Sequence, residues 1–523
     1  MNLKAMLART VERFAARTAI VSGERRITYD ELDKASNKIA NALIGLGVER
    51  GDRVATLLTN SPEFVNVYFG VIKTGAIAVP LDTRYKPVEL ASLFANCRPK
   101  VLIGESAVLE PLVPEMSRFD SIEHVIDLEG KFEGQFLSYR QIMDTGSSQN
   151  VDIEPEPDDI GTISYTGGPT SRPHGVALSH RNLVAEAVMS GEGFGQTEND
   201  VAVLFALPMF HMFGLASILL TSVNKGSTVV LVPGTGRSVT SFLETIEREK
   251  GTIYMGVPYI YALAISVAER EGVNFDLSSL RLWGSGGATL TADIASRFKK
   301  QFGADILDIW GLTEAVSHVT YHPLDGTGNT NSTGKALPGF ELAIADDDGH
   351  RLPPGQVGEI LVKGPMMSGY YNDPEATVKA VRNGWLHTGD LGSIDGDGYL
   401  HLSGMKKNVI ILKGQNIYPI DIEKVLCTHP KIAEAVVVGI PDKLRGEVVA
   451  AIIRLKNRVT ATEQEIRRFC QERLSDYKLP KVMFFTRSPL KKDSTGIGKK
   501  KLEDYLPDLS SLSPSPAREK EES

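Results

Sequence analysis

The chain has 523 residues, 42% apolar and 23% charged, which is enough for a large buried core and more than one domain. Its 57 Lys and Arg against 65 Asp and Glu leave a net charge of −8, which favours solubility and argues against nucleic acid as a general partner. Cys97, Cys427 and Cys470 lie too far apart for a metal or redox spacing, no uncharged apolar run is long enough to span a bilayer, and the N-terminus lacks a signal-peptide core. A reducing compartment, the cytoplasm, is therefore expected.

Residues 1–18 read as an amphipathic helix. From Arg26 strand and helix signals alternate. Thr28 and Glu31 form a capping box for a helix with apolar positions at Leu32, Ala35, Ile39 and Leu43, and Gly47 is its stop. Residues 54–59 read as a strand, Ser61 and Pro62 cap and open a helix over 64–73, and 76–81 is a further strand. A short strand over 163–165 precedes a Gly/Thr/Ser loop. After Leu178 come a helix over 182–189, a strand over 201–206, a loop over 207–214 and strands over 229–232, 253–257 and 280–283. Between 339 and 402 the texture changes to short β segments with Gly, Asp and Pro turns. Beyond a polar break at 406–408, helices at 420–426 and 463–474 alternate with strands at 433–438 and 448–454.

This order predicts an α/β protein. A large N-terminal domain of doubly wound, mostly parallel sheets covers 1–405 and carries a β-rich subdomain over 339–402. A small α+β C-terminal domain follows over 406–508, and 509–523 is a disordered Ser/Pro- and charge-rich tail.

The chemistry concentrates in residues 160–180, IGTISYTGGPTSRPHGVALSH. Gly167, Gly168 and Gly175 let the backbone approach an anion, while N–H groups and the hydroxyls of Thr166, Thr170 and Ser171 supply donors. The spacing is neither GxxxxGK[ST] nor GxGxxG. Taken alone, the stretch is as much an ordinary turn as a phosphate clamp. It resembles, however, the signature loop Y-T-[SG]-G-T-T-G-x-P-K-G-V of the adenylate-forming superfamily, which comprises acyl-CoA synthetases, luciferases and peptide-synthetase adenylation domains. Tyr165, Thr166, Gly167, Gly168, Thr170, Pro173, Gly175 and Val176 match, whereas Pro169, Ser171 and His174 stand for a Thr, a Gly and the Lys.

Further stretches match the same superfamily in the same order along nearly the whole chain. In LWGSGGA, the resemblance places the backbone of Gly286, Gly287 and Ala288 over adenine. In DIWGLTEA it makes Asp308, Trp310, Gly311, Leu312 and Thr313 nucleotide contacts, with Trp310 against adenine and Thr313 on phosphate, and gives Glu314 the Mg²⁺. In WLHTGD it gives Asp390 the ribose hydroxyls. GMKKN resembles the interdomain hinge: Lys407 keeps the family Lys, Asn408 would be the pivot that makes the small domain mobile, and Met405 replaces an Arg. Gly414 would line the pantetheine tunnel of CoA. Lys499 would serve as the C-terminal catalytic Lys, if a slip of two is allowed; direct alignment puts Ile497 there, and the basic run is equally a solvated face. His211, among Phe210, Met212 and Phe213, would stand at the mouth of the acyl pocket, or be structural. GEILVKGPMMSGYYNDPEAT also matches, as a stretch that builds the subdomain.

The resemblance implies an ATP-dependent acid–CoA ligase using Mg²⁺, ATP and CoA. Residues 208–214 and 254–259 are mostly apolar and aromatic, which suits a fatty or aromatic acid; a homodimer is left open. Because His174, Pro169, Met405 and Ile497 all fall on phosphate-side positions, the alternative is an impaired homologue that binds nucleotide and acyl group or acts only from acyl-AMP. A peptide-synthetase module is disfavoured, since no carrier-domain Ser follows; an oxidising luciferase fits the motifs.

Overall fold

Short-range signals set most helix ends. Thr28 caps the helix Tyr29–Gly45: its hydroxyl accepts from the Glu31 N–H, and the Glu31 carboxylate accepts from the Thr28 N–H at 2.8 Å. Ser61 accepts from the Phe64 N–H, with Pro62 opening the helix Pro62–Lys73. The amphipathic N-terminal helix, Leu3–Phe14, is capped by Asn2 and buries Leu3, Met6 and Leu7. The computed structural model describes residues 1–490 apart from 167–173, 233–238, 272–274, 289, 326–327, 406–408, 443, 457–458 and 487–489. Gly167, Gly168, Thr170, Ser171, Lys407, Asn408, Lys499 and the 509–523 tail therefore lie outside the described residues.

Two mostly parallel sheets form the large domain. The first runs Gly369–Tyr370, His174–Ser179, Ile160–Thr166, Ile77–Pro80, Arg53–Leu57, Val101–Gly104, His124–Asp127, Leu137–Ser138. The second runs Leu307–Asp308, Leu282–Ser285, Ile253–Gly256, Val201–Leu204, Thr228–Leu231, Thr18–Ser22, Arg25–Thr28. Helices pack on them, and a single apolar cluster joins Leu3 and Val54 to Val203, Tyr254 and Trp310.

Three departures from the sequence reading bear on the site. Strand Thr18–Ser22 joins the second sheet, pairing parallel with Thr228–Leu231 at Ile20↔Val229, so that sheet does not begin after Leu178. His174–Ser179 is a strand antiparallel to Ile160–Thr166, so both flanks of the signature stretch belong to the first sheet. The loop expected over 207–214 ends at 211, and its last residues enter a π-helix, Phe213–Leu220, buried along its whole length. Its side chains are almost all apolar, so burial outweighs the poorer hydrogen-bond geometry.

Within 339–402 the strands Glu341–Ala345, Gly358–Lys363, Val381–Arg382 and Trp385–Ile394 pair antiparallel, and Leu400–Met405 adds to Trp385–Ile394. The small domain pairs Ile432–Asp442 with Gly446–Leu455, adds Val482–Thr486 and a hairpin of Ile410–Leu412 with Gln415–Ile417, and packs Ile422, Leu426, Ile466 and Cys470 beneath. Among the described residues no helix is long and apolar enough to cross a membrane.

Candidate functional site

Strand ends create the site. In a parallel sheet every strand delivers its last residue and following loop to one edge, where ligands bind. Asp308 ends Leu307–Asp308, Ser285 ends Leu282–Ser285, and the two are register partners. Asp308 is buried with Oδ1 unpaired, and burial pushes its carboxyl up to about 8. Gly286 follows at once. A Cβ there would stand 3.3 Å from the Ile309 carbonyl and the Phe213 ring, and Gly287 takes φ +74°.

The WGLTEA stretch folds into a closed loop. Gly311 bridges His318, the Val319 N–H donates to the Trp310 carbonyl at 2.8 Å, and a Cβ on Gly311 would meet the Ser317 carbonyl at 2.0 Å. Thr313 and Glu314 sit at its far end, in a single 3₁₀ turn. Trp310 faces the β-rich subdomain: its indole N–H donates to Asp390 Oδ2 at 2.9 Å. Asp390 is presented from within the strand Trp385–Ile394, where the pairing with Gly358–Lys363 shifts register and Gly389, at φ +74°, donates its N–H to Glu359. Residues 80 positions apart, each singled out by its own motif, thus meet directly.

Glu314 has a partner that the sequence reading missed. The Tyr370 hydroxyl donates to Glu314 Oε1 at 2.8 Å, and burial, followed by the Glu314 charge, drives the phenol pKa upward. Tyr370 lies in GEILVKGPMMSGYYNDPEAT, the stretch read as a builder of the subdomain. In the structure Gly369–Tyr370 leaves the subdomain and pairs with His174–Ser179 of the large sheet. Its only sequence signal is a pair of aromatics after a glycine. His174 is buried, packs its ring edge-on against Tyr370 at 4.9 Å, and holds Nδ1 3.9 Å from Asp373. The position expected to carry a Lys is therefore tied to Glu314 through one aromatic ring, and Thr166, paired across from it, marks the other root of the loop.

His211 follows the strand Val201–Leu204 and immediately precedes the π-helix. Its side chain is solvent-accessible, yet enough protein surrounds it that desolvation lowers its pKa, opposed by Asp82. Nδ1 accepts from the Phe213 N–H at 3.3 Å. Phe194, Met255, Gly284, Ile309 and Tyr321 line a narrow, largely apolar crevice.

The small domain closes over this edge with its 413–415 turn. Gly414, at φ +81°, packs so tightly on Val257 that a Cβ would stand 2.6 Å from Cγ1, and its carbonyl faces Gly287. The Lys413 ammonium lies 4.6 Å from the Tyr259 ring centroid. Tyr418 stands close enough to Glu314 and Asp390 that their charges, after burial, raise its pKa.

A parallel-sheet edge with an indole–carboxylate pair and a second domain folded over it defines a two-domain nucleotide-dependent enzyme. Residues 7–371 match the AMP-binding enzyme family and 421–499 match the AMP-binding enzyme C-terminal domain; the chain belongs to this family of adenylate-forming enzymes. It is 32% identical to a long-chain-fatty-acid–CoA ligase of Bacillus subtilis over 527 residues, covering 95% of this chain and 92% of that one. Among solved structures, it superposes with a TM-score of 0.84 on a double mutant of o-succinylbenzoate CoA synthetase from Bacillus subtilis bound with its product analogue, at 30% identity over 97% of this chain and 98% of that chain. With ATP-bound MatB from Rhodopseudomonas palustris the TM-score is 0.71, at 29% identity over 95% of this chain and 97% of that chain.

Proposed function

We propose that the protein is an AMP-forming, ATP-dependent acid–CoA ligase whose acid is fatty or aromatic. In the first half-reaction a carboxylate oxygen of the acid attacks the α-phosphorus of ATP, the bond to the bridging β-phosphate oxygen breaks, and pyrophosphate leaves. In the second, the CoA sulfur attacks the acyl carbon, the C–O bond to AMP breaks, and the thiol proton passes to solvent.

The observation that carries this reading is the 2.9 Å bond between Trp310 and Asp390. It joins the residues matched to adenine and ribose recognition, beside Gly286, Gly287 and Ala288. Asp308 and Leu312 complete the nucleotide wall, and Gly311 keeps the loop narrow. Glu314 offers a carboxylate, the hard oxygen donor that suits Mg²⁺, and would hold it, while the Thr313 hydroxyl would contact phosphate. The cation would offset phosphate charge as pyrophosphate departs. Gly167, Gly168, Thr170 and Ser171 with Thr166 and His174 serve as the phosphate clamp, Lys407 and Asn408 as the hinge, and Lys499 as the C-terminal cation on the carboxylate. His211 stands in the apolar and aromatic segment 208–214, which with 254–259 suits an alkyl or aryl group. The placement of Gly414 against Gly287 and Val257, with the higher score against the CoA-product-analogue complex than against the ATP-bound structure, supports a thioester-forming arrangement. An enzyme consuming ATP and CoA works where both are kept, which fits the cytoplasm.

The test is pyrophosphate release with ATP, Mg²⁺ and a panel of fatty, benzoic and cinnamic acids, followed by CoA-ester formation. Turnover with at least one acid is expected. The buried His174 favours one alternative, loss of the first half-reaction alone. Activity confined to preformed acyl-AMP plus CoA would establish that alternative, and no turnover from either would overturn both.

A further inference from the structure

Directly after Glu314 the chain makes a turn that side chains ordinarily avoid. Val316 has φ +69° and ψ −57°, is fully buried, and is β-branched, the residue type for which this region is most costly. Such strain persists only where neighbouring structure imposes it. The next two residues show what imposes it. Ser317 Oγ lies 2.6 Å from Ser217 Oγ, and His318 Nδ1 lies 2.8 Å from the same Ser217 Oγ and 3.1 Å from Glu186 Oε1. Ser190 donates to Glu186 at 3.0 Å, and Phe194 stacks on the His318 ring at 4.9 Å. All of these polar groups are buried, Glu186 completely.

Burying a carboxylate and an imidazole costs stability unless they are paired, and a paired network of this kind fixes geometry more than it adds stability. Its anchors lie on two other elements. Ser217 sits on the π-helix that starts beside His211, and Glu186 on the helix His180–Gly193. A π-helix is itself an uncommon conformation, associated with functional sites.

We propose that Ser217, His318 and Glu186 are positioning residues: the network pins the strained Val316 turn from behind and so sets where the Glu314 carboxylate stands for Mg·ATP, an inference that rests on the proposed role of Glu314. Through the π-helix the same network ties Glu314 to the segment that carries His211. Neither Ser217 nor Glu186 belongs to any motif that marked the site.

The experiment uses the full chain with Ser217→Ala and, independently, Ser317→Ala, which keeps the test open should one variant fold poorly. Amide hydrogen exchange over 311–319 and equilibrium binding of ATP with Mg²⁺ and with EDTA are measured beside the parent. Faster exchange confined to that loop is expected, with about tenfold weaker binding of Mg·ATP, the scale of losing a partner behind a metal ligand, and unchanged binding of ATP in EDTA. The double variant is expected to lose no more than the worse single variant. Unchanged exchange and unchanged Mg·ATP affinity overturn the proposal, as does an equal loss of ATP binding with and without Mg²⁺, which marks a general packing role. Glu314→Gln separates the two layers. If it leaves Mg·ATP binding intact, the role of Glu314 itself fails, and the exchange measurement then decides whether the network holds the turn.

Discussion

At the residue scale Asp308 holds an unusual charge state. Burial penalises its anion and places the folded pKa at about 8, whereas an unfolded Asp titrates near ~4. Between these values the folded chain binds more protons than the unfolded one, so the stability contributed is full below about 4 and is lost as pH rises through about 8. Asp308→Asn cannot ionise. Its melting temperature without nucleotide is expected to be flatter between pH 5 and 9 than the parent's, where a fall toward the alkaline side is expected. Equal slopes in the two proteins would show that Asp308 is ionised in the folded state. The motif in which it lies was legible, since D-x-W-G-x-T-E is a local string. Its burial was not, because that depends on Tyr261 and Ser285 arriving from another helix and strand.

At the scale of elements the hairpin Ile410–Leu412 with Gln415–Ile417 carries the argument. Both turn residues have positive φ, 52° at Lys413 and 81° at Gly414, the form that matches strand twist in a two-residue turn. A side chain at Gly414 meets both left-handed backbone strain and the Val257 side chain at 2.6 Å. Gly414→Ala is therefore expected to slow CoA-ester formation from acyl-AMP by about tenfold, some 1.4 kcal/mol, while pyrophosphate release stays near the parent rate. Equal losses in the two half-reactions would mean that the turn does not act selectively. The hairpin lay in a stretch read as a polar break followed by a helix, because its strands of three residues are too short to show alternation. Similar limits hid His174–Ser179, which is buried at every position and so lacks a period-two pattern. The Thr28–Glu31 capping box, by contrast, was legible: a cap is made of residues three apart.

At the scale of the whole molecule the two domains meet through a charged latch. Glu89 accepts from the Ser475 N–H at 3.0 Å, the Ser475 hydroxyl at 2.6 Å and the Lys478 ammonium at 2.7 Å. Arg84 forms a fork to Asp82 and stacks over Tyr477 at 4.5 Å. Burial alone would lower the Lys478 pKa, yet Tyr85 and Glu89 together raise it, so the ammonium stays charged inside the interface. Glu89→Gln keeps the shape and removes the charge, leaving the buried Lys478 without its hydrogen-bonded carboxylate. The closed arrangement is expected to lose about tenfold in population, read as slower CoA-ester formation with unchanged pyrophosphate release. A uniform loss in both steps would place Glu89 in the stability of the large domain alone.

The linear string determined where the chain turns, caps and leaves room for a ligand, since those properties belong to residues a few positions apart: the glycines at 286, 287, 311 and 414, the Thr28 cap, and the W-G-x-T-E and T-G-D strings. The three-dimensional packing alone decided that Trp310 bonds Asp390, that Tyr370 leaves the subdomain to hold Glu314, and that Glu186 reaches His318 from a helix more than a hundred residues earlier. Each of those contacts is a small free energy realised only when a whole buried surface has assembled around it, and no local spacing encodes that sum.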